Sequence, residues 1–188
     1  MSDARPLALA VTGSIASGKS TLARALAERL GATLLVADRI REGAVAELGR
    51  GEAPAGARLR ALERVFDDGV YAELLRRAAG ELAAGRSVVL DAAFPRRALR
   101  SEARALAARC GARFRLVECR AGDAVRARLA ARAAAAGVAL ERWLALCDAF
   151  EAQREPPVEL PAAERLELDT SGPAEAGAAA ALAWLEEA

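Results

Sequence analysis

The octapeptide Gly13-Ser14-Ile15-Ala16-Ser17-Gly18-Lys19-Ser20 fits the phosphate-binding loop pattern G-x-x-x-x-G-K-[ST], and no other stretch restricts the fold as tightly. Before it, Leu7-Ala8-Leu9-Ala10-Val11 reads as a short apolar strand. After it, Thr21 to Leu30 carries Leu22, Leu26 and Leu30 four apart with Arg and Glu between, which is helical spacing. A strand, a glycine loop and a helix in that order aim backbone N–H groups and a helix N-terminus at an anion.

Each residue type in the loop has a chemical reason. Gly13 permits the turn and Gly18 lets the backbone approach the anion. Ser14, Ala16, Ser17 and Thr21 complete the cradle around Lys19, and the Ser20 hydroxyl is placed to meet Mg²⁺. Lys19 is the only lysine, and the other 26 basic residues are arginine. A compact ammonium reaches between the β- and γ-phosphates of a nucleotide, where a planar guanidinium is too bulky to replace it.

Further apolar runs alternate with helical patterns. Thr33–Val36, Ser87–Asp91, Arg113–Cys119 and Arg165–Asp169 read as strands. Helices are predicted from Asp38 to about Leu48, from 57 to 65, from Val70 to Ala84, from Pro95 to about Cys110, from Asp123 to about Ala136, from Leu140 to Glu151 and after Pro173. The alternation predicts an α/β fold in three layers, a five-stranded parallel sheet flanked by helices. One domain over residues 1–188 is expected, with a helical lid at about 121–137. Ligands in such sheets lie at the carboxyl ends of the strands. Those ends carry Gly13, Asp38, Asp91, Cys119 and Asp169, so several carboxylates converge near the phosphate loop.

The composition excludes some chemistry. There is no histidine, so acid–base work falls to a carboxylate, and Cys110, Cys119 and Cys147 lack the spacing of a zinc site. A net charge of +1 gives no global field for nucleic acid or membrane. No run is apolar enough to span a bilayer and none resembles a signal peptide, which predicts a cytoplasmic protein.

The residues after the third strand separate hydrolysis from transfer. There is no asparagine and no second lysine, so the Asn-Lys-x-Asp stretch that reads guanine is absent. Asp91 is followed by Ala92 and Ala93, so no glutamate stands there to orient an attacking water. Transfer instead needs a carboxylate near an acceptor hydroxyl and cations over the transferring phosphoryl group. Asp38 suits the first role. Arg128 and Arg132, four apart on one helix face, suit the second.

GSIASGKST, ADRIR (Ala37–Arg41), GRSVVLDAAFPRR (Gly85–Arg97), VECRAGDAVRARLAAR (Val117–Arg132) and LELDTSG (Leu166–Gly172) together resemble the polynucleotide-kinase-like branch of small P-loop kinases, often labelled AAA-type. The resemblance implies ATP with Mg²⁺ as the donor. It implies Asp38 as general base, Arg41 as a substrate grip, Asp91 as support for the acceptor site, and Arg128 with Arg132 as the phosphate clamp. The family often has Thr after the aspartate where this chain has Ala92, which sets the chain apart from polynucleotide acceptors. The opening VTGSIASGKST also resembles dephospho-coenzyme A kinases, and a nucleotide-dependent switch would use the same loop.

The acceptor is left as a small hydroxylated molecule or a nucleotide, with a nucleic-acid 5′ end less favoured. Arg96, Arg97, Arg100 and Arg104 either bind an anionic acceptor or form a solvated helix face. Stacking on single-stranded nucleic acid would fall to Phe66, Tyr71 and Phe94.

Overall fold

The structure is a computed structural model and describes residues 5–41, 55–137 and 139–187, with side chains excepted at 55–67 and 136. Among the described residues five strands form one sheet: β1 (Leu7–Gly13), β2 (Thr33–Val36), β3 (Val88–Asp91), β4 (Arg113–Arg120) and β5 (Arg165–Asp169). Their order is β2-β3-β1-β4-β5. Every neighbouring pair is parallel, as the alternation of strand and helix patterns predicts. Every residue of β1 is buried. A central parallel strand covered on both faces needs apolar side chains throughout, which is why LALAV shows no alternation.

Successive side chains of a strand point to opposite faces. Leu9, Val11, Val89 and Val117 face one layer, packed on Leu22 and Leu26 of α1 (Lys19–Leu30) and Ala178 and Ala181 of α7 (Ala174–Glu187). Ala8, Ala10, Leu90 and Leu116 face the other. There they meet Val70 and Leu74 of α3 (Ala55–Ala83) and Leu99 and Ala103 of α4 (Arg97–Arg109). Helices α5 (Ala124–Ala136) and α6 (Leu140–Glu151) form a third, smaller cluster against the phosphate loop.

Residues 37–41 open helix α2; the rest of the helix expected to Leu48 lies outside the described residues. Two expected helices, 57–65 and Val70–Ala84, prove to be one, α3. Gly69 sits exposed within it. A glycine in a helix interior costs only about 1 kcal/mol, less than the packing of Val70, Tyr71 and Leu74 returns. Asp123 precedes α5 without a side-chain capping bond, so it is not the cap its position suggests.

Candidate active site

The loop between β1 and α1 stands at the carboxyl edge of the sheet. Two of its residues must be glycine. Gly13 has φ +149°, and a Cβ there would lie 2.6 Å from Ser17 Oγ and 2.7 Å from the Cys119 carbonyl oxygen. Gly18 has φ +90°, and its Cβ would meet Arg128 Nη1 at 3.1 Å. Ala16 adopts the left-handed region at φ +61° despite carrying a side chain. Such strain persists only where the surroundings enforce it. Gly18 makes no side-chain cap for α1, and the first turn holds no acidic residue. The free N–H groups and the positive end of the helix are thus left for an anion.

Three contacts pin the outer side of the loop. Arg128 donates from Nη1 to the Ala16 carbonyl at 3.3 Å and from Nη2 to the Thr170 carbonyl at 2.6 Å. The Thr170 hydroxyl donates to the Ser17 carbonyl at 2.6 Å. Thr170 follows β5, so the loop, α5 and the β5–α7 turn are tied together. Between them lies a cleft of about 430 Å³ lined by Gly18, Thr21, Arg128, Arg132, Pro173 and Gly177, among others. Sequence reasoning missed Thr170, because a threonine after a strand carries no signal until its neighbour across the sheet is known.

On the inner side, the Ser20 hydroxyl stands near the carboxylate of Asp91, the last residue of β3, and favours its charged form. Asp91 is 4% exposed. Burial pushes its carboxyl above the ordinary range and the Asp38 charge adds to this, while Ser20, Lys19 and Arg24 oppose it. A serine hydroxyl beside a buried carboxylate, within the field of a lysine ammonium, is a donor set suited to a magnesium-bound phosphate. Among the described residues no cluster of three or more His, Cys, Asp or Glu offers a metal site built from protein alone.

Asp38 lies just past β2. Its Oδ1 accepts from Arg41 Nη1 at 2.6 Å, with both side chains substantially exposed. Asp38 and Asp91 are close enough to influence one another's charge. The structure therefore gathers Lys19, Ser20, Asp38, Arg41 and Asp91 at one edge of the sheet. Arg128 and Arg132 both line the outer cleft.

Of the four arginines after β3, Arg96, Arg97 and Arg104 are exposed, as a solvated face requires, and Arg100 is not. Arg100 is 1% exposed. It donates to Glu159 from Nε at 2.6 Å and Nη2 at 2.9 Å, and from Nη1 to the Phe94 and Glu155 carbonyls. Arg96 pairs with Asp68, and Arg104 with Glu164. Helical spacing put Arg100 and Arg104 on one face, but the chain returning at 155–164 buries Arg100 against Glu159 and leaves Arg104 exposed beside Glu164. Tyr71 and Phe94 are buried and pack on each other at 5.2 Å, so neither offers a surface to a nucleobase; the side chain of Phe66 lies outside the described ones.

The AAA_33 family, described as an AAA domain, matches residues 9–157. The chain belongs to the AAA_33 family. No curated protein matches it. This AAA_33 chain is similar in structure to a candidate kinase from Chloroflexus aurantiacus, with TM-score 0.70 and 24% identity over 100% of this chain and 97% of that one. It is also similar to a gluconokinase from Sinorhizobium meliloti 1021 (TM-score 0.64, 20% identity, 97% of this chain and 93% of that one). A third is the Mycobacterium tuberculosis APS kinase CysC in complex with AMPPNP and APS (TM-score 0.60, 24% identity, 97% and 98%). At these identities the likeness establishes the fold of this AAA_33 chain, the three-layer P-loop fold. No helix among its described residues is long and apolar enough to cross a membrane.

Proposed function

We propose that the chain is an ATP-dependent phosphotransferase that moves the γ-phosphate of ATP to a hydroxyl of a small molecule. The observation that carries this is the Ser20 hydroxyl set beside the buried carboxylate of Asp91, within the field of Lys19, with a buried Ala92 next in the chain. The arrangement suits the phosphates of ATP and leaves no carboxylate directly after Asp91 to activate water.

The triphosphate lies against the loop N–H groups and the Lys19 ammonium, and the nucleobase enters the cleft beside Arg128 and Gly177. The Ser20 hydroxyl, with Asp91 behind it, would hold Mg²⁺, which would supply neutralisation of phosphate charge. Asp38, oriented by Arg41, takes the proton of the acceptor hydroxyl. The acceptor oxygen bonds to the γ-phosphorus, the bond from that phosphorus to the bridging oxygen breaks, and ADP leaves. Arg132 stabilises the charge that develops. Helices α5 and α6 serve as the lid.

A small acceptor is favoured over a nucleic-acid end, because Tyr71 and Phe94 are core residues and the net charge is near zero. The gluconokinase and APS kinase folds support a small-molecule acceptor in the same sense. ADP release should be measured across sugars, sugar acids, nucleosides, dephospho-coenzyme A and oligonucleotides. The expected result is release that depends on one class of acceptor. Release at one rate with and without every acceptor would instead support hydrolysis, and none at all would support a switch.

A further inference from the structure

Helix α6 does not merely cover the phosphate loop; it is packed onto it. Val125 and Leu129 of α5 and Leu140, Trp143, Leu144 and Cys147 of α6 form one apolar cluster with Ile15 and Ala16 of the loop. Trp143 and Cys147 are four apart and share a helix face. That face packs into the cluster that holds Ala16 and Ile15 of the loop. The lid thus rests on the strained left-handed backbone of Ala16, at φ +61°, and Arg128 holds the carbonyl of that same residue.

One group in this seam is mismatched. Trp143 Nε1 is shielded from solvent and has no hydrogen-bond partner. A buried donor without an acceptor forfeits the bonds it would make to water, whereas an apolar ring of similar shape loses nothing. Lifting α6 from the loop lets water reach the indole N–H. The apolar gain of docking is therefore offset by a loss that only the docked state suffers.

We propose that Trp143 is a positioning residue that keeps lid docking marginal, so that the phosphate loop can release nucleotide between turnovers. The effect on exchange rests on the nucleotide reading above; the effect on docking does not. Trp143→Phe removes the unmatched donor and keeps a smaller aromatic ring in the seam. It should hold the lid down. Leu144→Ala removes apolar contact from the same seam and should do the reverse.

The test has two readouts. In ligand-free protein, amide hydrogen exchange at Ile15–Ser17 should slow at least threefold in Trp143→Phe and quicken in Leu144→Ala, with the amides of β4 as the control for global stability. Dissociation of mant-ADP, followed by stopped-flow fluorescence, should slow at least threefold in Trp143→Phe and quicken in Leu144→Ala. Unchanged or faster loop exchange in Trp143→Phe overturns the proposal, as does slowed exchange with unchanged release. Slowed exchange in a protein that fails to bind mant-ADP upholds the seam and defeats the nucleotide reading instead.

Discussion

Arg128 Nη2 stands 2.6 Å from the carbonyl oxygen of Thr170, so α5 is fastened to the turn after β5. The same guanidinium reaches Ala16 in the phosphate loop. Arg132, one helical turn on, is exposed and lines the same cleft. The two arginines therefore differ in kind. Arg128→Ala should weaken ATP binding about tenfold, as expected for a lost charge-assisted hydrogen bond, and lower turnover as well. Arg132→Ala should lower turnover and leave ATP affinity nearly unchanged. Calorimetry with a nonhydrolysable ATP analogue, set against steady-state rates, separates them.

Asp91 tests the inner side of the loop. Burial raises its pKa, so its protonated form is favoured by folding. The stability it contributes is full below the ordinary aspartate range and is lost as pH rises through the raised value. Asp91→Asn should therefore raise the melting temperature of the ligand-free protein at pH 7, and the gain should vanish at acid pH. Magnesium-dependent turnover should be lost in the same variant. A lower melting temperature at pH 7 would contradict the burial argument.

The Arg100–Glu159 pair, with side chains 2% and 9% exposed, predicts a large asymmetric cost. Removing one partner strands the other in a buried place, so Arg100→Ala should destabilise the fold by about 3 kcal/mol or more. For a chain of this size that is roughly 6–12 °C in melting temperature. Arg100→Met with Glu159→Leu should recover most of the loss. A double variant no better than the single would show that the carbonyl contacts of Arg100, rather than the ion pair, hold this corner.

The thiols report on the same packing. Burial pushes Cys119 up to about 12 and raises Cys147 as well. Cys110 is the only one of the three that is not buried. A disulfide reagent at pH 8 should modify one thiol quickly in the folded protein and all three after denaturation. Cys147 should react before Cys119, because lifting α6 exposes it while Cys119 stays inside β4.

Features set by local spacing were legible in the sequence. The loop glycines, the apolar strand before them and the leucines of α1 reflect short-range geometry, and the parallel sheet is implied by strands alternating with helices. Asp91 at the end of β3 was legible for the same reason. Other features depend on chain segments far apart. Arg100 reads as a surface residue until Glu159 is known to lie across from it. Gly69 reads as a break until the core beneath α3 is counted. Trp143 reads as ordinary helix content until Ile15 and Ala16 are found under it.

Transfer rather than hydrolysis is tested most directly by the fate of the label in γ-³²P-ATP. It is measured in the presence and absence of a productive acceptor, for the wild type and Asp38→Ala. Label should appear on the acceptor, one per ADP formed, and should be lost from it in Asp38→Ala with ATP binding retained. Label recovered only as inorganic phosphate, whatever acceptor is present, would contradict transfer.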